Sequence, residues 1–533
     1  MKRFAALLLV LIVSAASVTN AEGLSGESVP QMQTETEIAD VSEYVLSAGS
    51  MTPAFLPNGV GSGAAVFADE ENDPDTLFVE RVLAAWSDFS EEIIDLTDLG
   101  LTIEEGAFLY GVVMNLYPRF FDVSPYFRYA YDGNMMLGIV PQYLCTKEQG
   151  EVRLEQYDAA IEKMVADSVS EADYQTMSET EIALALHDYL ALHVRYSYKG
   201  VNDRTADPDA YNAYGAVVNG SAVCQGYTLA YSELLACNNI VSTAVTSENA
   251  AHAWNAVMLE NGTYHVDVTF DDPGCSWSPD GDDDVSGFAR HDYFMLTDAE
   301  IIAEDTKSDR SDMVFSLALG EAASVSHPDR ALWQDAYTMF YIGNGLWLRH
   351  KNMTYLEGVI EGLKPSATGL DLCSLTDTKG QELYPHNSYP LYGFMARLDD
   401  TLYLNAFAGG AKSGKIVALD IGTFEETSVL TLQEGHIAEE LEEKDGDIYY
   451  LDLWYDSAEG KVKYERKKLE ISSEEPPVTA EDLTGDGVMD VLDAIALAKH
   501  LAGLSSITND VLTAAGFVPA EVSVGDAVAI CAG

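Results

Sequence analysis

A thiol, an imidazole and a carboxylate stand in three separate segments of this chain, in an order that suits nucleophilic catalysis. Cys224 follows a stretch rich in Ala, Asn and Gly (residues 207–220) and opens an apolar helical pattern carrying Tyr227, Tyr231, Leu234 and Leu235. The first N–H groups of a helix lack partners and carry partial positive charge. A thiolate at that point is stabilised, and the same amides can hold a developing oxyanion. The nucleophile also needs a base and a group to orient the base. His252 heads the apolar run His252-Ala253-Trp254-Asn255-Ala256-Val257, and Asp267 lies in the next one, Tyr264-His265-Val266-Asp267-Val268-Thr269-Phe270. Both read as strands, so Asp267 can accept from one imidazole nitrogen and leave the other for the thiol. A tight turn at Asn261-Gly262 sets Asp267 opposite Ala256, four residues from His252, so a looser turn or a bulge is expected. Gln225 and Trp254 are assigned to the substrate and oxyanion region. His265 and His291 read as structural or rim residues, and Cys237, at the far end of the same helical pattern, as inert packing.

The elements around these groups follow from periodicity. Helical spacing begins near Thr76 and recurs over residues 104–116 and 156–167, and residues 126–143 read as a hairpin around Asp132-Gly133-Asn134. Ser178-Glu179-Thr180-Glu181 is a capping-like start to a helix running to His193. Two strands are expected, at about residues 253–259 and 264–270. From residue 330 to 471 the pattern changes to short strand pairs. Leu346, Leu402 and Ile448 mark a loose hairpin repeat spaced 56 and 46 residues apart. Three units are too few for a closed ring of four to eight blades, so an open β domain is expected.

The segment from about Glu181 to Glu300 resembles the bacterial transglutaminase-like superfamily, which shares a papain-like cysteine-protease core. The resemblance rests on a Cys opening a helix, a His-Ala-Trp strand and a Val-Asp-x-Thr strand in that order, with Leu186-His187-Asp188-Tyr189-Leu190 upstream and His291-Asp292-Tyr293-Phe294 downstream. It implies Cys224 as nucleophile, His252 as general base and acid, and Asp267 as orienting carboxylate. It also implies activity on amide bonds of proteins or peptides through an acyl-thioester, with no cofactor for catalysis. Peptide hydrolysis is the first expectation, and transfer to amines or deamidation the alternative.

The ends of the chain carry other signals. Lys2-Arg3, an apolar run to Ala16 and Thr19-Asn20-Ala21 read as a signal peptide over residues 1–21, so a secreted, extracellular protein is expected. Residues 22–75 read as an acidic flexible leader, and 76–180 as an N-terminal α/β region before the catalytic domain at 181–305. Residues 472–481, with Pro476-Pro477, read as a linker. Asp482, Thr484, Asp486, Asp490 and Asp493 stand at positions 1, 3, 5, 9 and 12 of a calcium loop, with Val488 donating its carbonyl and Gly487 at the turn. Residues 482–533 thereby resemble a dockerin, a small all-α module that plugs enzymes into the cohesin domain of a cellulosomal scaffoldin. A second repeat, Val524-Gly525-Asp526-Ala527-Val528, has Ala515, Phe517 and Pro519 at ligand positions. One structural Ca2+ is expected there. Asp280-Gly281-Asp282-Asp283-Asp284 reads as a solvated acidic loop.

The overall expectation is an α+β chain: a papain/transglutaminase-like core, an open all-β repeat domain and the dockerin. At 533 residues, with 29 Lys+Arg against 87 Asp+Glu and a net charge of −58, the surface repels phosphate. Nucleic acid and anionic membranes are therefore not expected as partners. The six cysteines are scattered, without a CxxC or zinc-type spacing. Cys237 and Cys275 are a possible pair. The competing class is a non-catalytic binding or assembly component, acting in plant polysaccharide degradation, that uses the same fold as a scaffold.

Overall fold

The computed structural model describes residues 37–40 and 74–471, apart from internal stretches of which 273–288, 305–308, 376–390 and 407–412 are the longest. The signal segment, Asp280–Asp284, Cys275 and the whole calcium-loop set (Asp482, Thr484, Asp486, Val488, Asp490 and Asp493) lie outside the described residues. The described chain is an α+β mixture built on antiparallel sheets. Among the described residues no helix is long and apolar enough to cross a membrane.

The first layer comprises α1 (Pro74–Ser87) and α2 (Ile103–Leu116) beside a four-stranded sheet. That sheet is ordered β1 (Glu37–Asp40), β3 (Tyr126–Asp132), β4 (Met135–Val140), β2 (Ile94–Asp95). The hairpin turns where expected, with Asp132 opposite Met135 and Gly133 at φ +61°, a conformation glycine adopts without a Cβ penalty. Phe78, Val82, Trp86, Tyr110 and Phe127 fill the interface. The strand Glu37–Asp40 falls within the stretch read as a flexible leader. It pairs with β3 as an edge strand, so that part of the leader is ordered by a sheet.

The second layer positions the reactive groups. Helices α3 (Lys147–Ser168) and α4 (Glu179–His193) each begin with a full capping box, at Thr146/Gln149 and Ser178/Glu181. Helix α5 (Cys224–Cys237) lies against a sheet ordered β10 (Val314–Phe315), β7 (Val241–Ser247), β8 (His252–Leu259), β9 (Gly262–Val266). Leu184, Leu186, Tyr231, Leu234, Val257, Tyr264 and Phe294 are buried between them.

A third layer is an open sheet of eight antiparallel strands, from β11 (Ala336–Tyr341) to Glu426–Thr431, followed by three strands between His436 and Lys468. Its near end is joined to the second layer. Trp333, Met339, Trp347 and Leu363 belong to the same buried cluster as α4. The Trp347 indole donates to Glu181 at 3.0 Å.

Candidate active site

Cys224 is placed by backbone on both sides of its loop. A two-residue parallel pair joins β5 (Arg195–Tyr196) to β6 (Ser221–Ala222), continued by Ser197 N–H to Ala222 C=O at 2.8 Å. From the other side Val223 N–H donates to Ala210 C=O at 2.8 Å. The approach is so close that a Cβ on Gly226 would sit 2.6 Å from the Ala210 oxygen, and one on Gly215 2.0 Å from the Asp209 oxygen. Glycine is required at both points because no side chain fits. Helix α5 then starts at Cys224 with Val223 as its cap, and Val223 makes no side-chain cap bond. Helices α2, α3 and α4 all have capping boxes. The electropositive start of α5, without a side-chain cap, thus lies at the thiol and whatever approaches it.

His252 and Asp267 meet without a bulge. The β8–β9 hairpin turns at Glu260-Asn261, so Leu259 faces Gly262 and His265, not Asp267, opposes Ala256. Strand β9 ends at Val266. The strand expected through Phe270 becomes a helical turn, α6 (Val268–Asp271), capped by Asp267. One carboxylate oxygen of Asp267 accepts from Phe270 N–H at 3.2 Å. The other, Oδ2, lies 2.8 Å from His252 Nε2. That leaves Nδ1 for the thiol. The expected register is corrected here: the turn falls one residue earlier, and the carboxylate reaches back from a helix cap. Asn255, on the opposite face of β8, fixes the strand to α5 by donating to Thr228 C=O at 3.0 Å and Ser232 Oγ at 2.8 Å.

The electrostatics separate this cysteine from the others. Burial pushes the Cys224 thiol up. The His252 charge, a hydrogen bond from it and the Ala253 N–H outweigh that, so its pKa falls below the ordinary value. Burial pushes His252 down, but the charges of Asp267 and Cys224 raise it to about 9. Asp267 is held below the usual carboxylate range: burial opposes its charge, and His252 and Arg310 overcome burial. By contrast burial raises Cys237 to about 12 and Cys145 to about 11. Cys224 is only partly buried, as a reacting thiol must be.

The remaining expected residues take other places. Trp254 is 1% exposed, stacks beside His252 at 5.9 Å and donates to His265 Nδ1 at 2.9 Å. It supports the imidazole from behind and presents no surface to a substrate. Phe270 covers the other side of His252 at 4.5 Å. His265 continues to Asp298 at 3.0 Å, a structural role. The Gln225 side chain donates to buried Asn115 on α2 at 2.7 Å, and Asn115 donates to Ser316, which ties the first layer to the start of α5. Tyr196 and Tyr211 flank Cys224 from the two segments that grip its loop.

One residue and one set of contacts are not read from the sequence, although His187, Asp188 and His291 lie in stretches singled out there. Arg310, wholly buried, lies 2.9 Å from the Asp267 Oδ2. No periodicity or motif marks it. The second is a buried network of His187, Asp188, His291 and Asp271. Asp188 Oδ1 is 2.7 Å from His187 Nδ1 and 2.8 Å from His291 Nε2, and His187 Nε2 is 3.2 Å from Asp271. His187, Asp188 and His291 have the residue types of a metal site. Their two short separations are hydrogen-bond lengths, shorter than the roughly 3.3 Å between neighbouring ligands that ~2.0 Å bonds give around tetrahedral zinc.

No family model matches the chain, and no curated protein matches it. Among solved structures, one similar chain is described as "Crystal structure of a TGase". It is 16% identical, with a TM-score of 0.19, over 27% of this chain and 44% of that one. This chain therefore spans less than half the length of that neighbour.

Proposed function

We propose that this protein is a cysteine enzyme that acts on amide bonds of proteins or peptides through an acyl-thioester. The observation that carries the reading is the convergence of Cys224, His252 and Asp267 at the uncapped start of α5, with the thiol shifted down and the imidazole up. The Cys224 thiolate attacks the amide carbonyl carbon, and the carbonyl π pair moves to oxygen, where the first amides of α5 receive it. As the C–O double bond re-forms, the C–N bond breaks and His252 gives its proton to the departing nitrogen. Water then adds to the thioester while His252 takes a proton, and the thiolate leaves. A primary amine in place of water gives transfer. When the bond broken is a glutamine side-chain amide, water gives deamidation.

The test uses a pool of synthetic unstructured peptides in 18O-labelled water, with and without a primary alkylamine, read by mass spectrometry. Label in new peptide C-termini marks hydrolysis, label in glutamate side chains marks deamidation, and amine mass marks transfer. The expected result is hydrolysis that disappears in Cys224→Ala. Products undiminished in that variant, or none of the three in the wild type, would overturn the reading.

We further propose export and attachment to a cellulosomal cohesin through a C-terminal dockerin holding one Ca2+. This rests on the loop residues Asp482 to Asp493. Calorimetry of the whole protein should show one Ca2+ site that Asp486→Ala removes; retention of that site in the variant would contradict the assignment.

A further inference from the structure

Arg310 is the most unusual side chain in the described core. It is fully buried, and none of its three guanidinium nitrogens makes a hydrogen bond among the described residues. Among the described residues its one ion pair is with Asp267, at 2.9 Å from Nη1 to Oδ2. The same Oδ2 serves His252. The guanidinium faces the rings of Phe270 at 4.5 Å, Trp254 at 4.8 Å and Tyr293 at 5.2 Å. Trp254 and Phe270 are also the two rings that enclose the His252 imidazole. Two cations therefore share one carboxylate oxygen and one aromatic enclosure.

The neighbouring carboxylates are engaged elsewhere. Asp309 accepts from Ser311 and Asn249, and Asp312 accepts from Ser247 and Asn249. These bonds staple residues 309–312 to the β7–β8 turn, and the side chain between them is directed inward. Among the described residues, the groups near Arg310 and its partner that can carry charge include Asp267, His252 and Cys224, with Tyr293 on the aromatic side and Tyr196 beside Asp267 and Cys224. A buried guanidinium stays charged, so it needs a buried anion, and Asp267 is the anion in contact.

We propose that Arg310 is a positioning residue of the Cys224–His252–Asp267 site: through the shared Oδ2 and the shared rings it holds the Asp267 carboxylate charged and fixed, so that Asp267 orients the imidazole without taking its proton. The inference rests on the cysteine-enzyme reading above. It makes the site a balanced set of four charges when the thiolate and imidazolium are formed: Arg310 and His252 positive, Asp267 and Cys224 negative. Without Arg310 the set carries one net negative charge, and proton loss becomes harder at both the thiol and the imidazolium. Arg310 thus lowers both ionisations and sets the pH window in which the ion pair exists.

The experiment is the pH profile of Cys224 alkylation by iodoacetamide, followed by peptide mass spectrometry on the full chain. Wild type, Arg310→Met, Arg310→Gln and Arg310→Lys are compared, with thermal melts to establish folding. The expected profile has two inflections, and both move up by about one pH unit when Arg310 is neutralised. Arg310→Lys, which keeps the charge, should return them toward the wild-type positions. If Arg310→Met does not fold, Arg310→Gln carries the same criterion. Inflections unchanged in a folded neutral variant, with only the plateau rate altered, would reduce Arg310 to packing and overturn the inference. A wild-type profile without the lower inflection, unaffected by His252→Ala, would instead remove the cysteine-enzyme reading beneath it.

Discussion

At the scale of single residues, ionisation follows from position. Cys224 and Cys237 stand at opposite ends of one helix. Cys224 has the helix's electropositive start and an imidazolium beside it. Cys237 has burial and a buried Glu233 nearby, and its thiol is pushed to about 12. The triad types and their order are legible in sequence because each sits at a marked point: a helix start, a strand start and the end of a hairpin. Trp254 shows where such reading stops. It lies two residues beyond His252 on the same face of β8, where Leu296 and Ile301 already cover the sheet, so it is packed and not presented. Arg310 was illegible, because a single basic residue in a loop gives no periodic signal and only the folded chain brings it to Asp267.

At the scale of elements, the His187–Asp188–His291–Asp271 network ties α4, α6 and β11 together. His291 Nδ1 reaches Ala336 C=O at 3.1 Å, and Met339 N–H donates to Asp188 at 3.2 Å. Burial alone pushes His187 down, but its hydrogen bonds to Asp188 and Asp271 raise it to about 9. The sign follows directly: the folded state binds this proton more tightly than the unfolded chain, whose His titrates near 6.5. The contribution is fully present below pH ~6.5 and lost as pH rises through about 9. Melting temperature is therefore expected to decline across that interval in the wild type. The decline should be shallower in His187→Gln; an equally steep decline there would count against the network. Element boundaries were legible where caps were written in the sequence, as at Ser178/Glu181. The end of β9 was not. Val266, Val268 and Phe270 alternate like a strand, but the Asp267 side chain bonds to Phe270 N–H and turns the chain into a helix.

At the scale of the whole molecule, the layers share interfaces that composition does not announce. The hairpin repeat after residue 330 was legible as an open β region, since its strand runs and turn signals are local. Its union with α4 was not, because Trp333, Met339 and Trp347 read as ordinary apolar strand or turn residues until the fold sets them in the same cluster as Leu184 and Leu186. The Asn115–Gln225 bond is likewise a long-range contact, joining the first layer to the start of α5. The contacts between the layers bear on the proposal that Cys224 is an activated thiol. The most direct test is the pH dependence of Cys224 alkylation in wild type and His252→Ala. The account predicts an apparent pKa well below the free-thiol value of about 8.5, rising toward or above it in the variant with a slower reaction at neutral pH. An ordinary pKa that is the same in both proteins would contradict it.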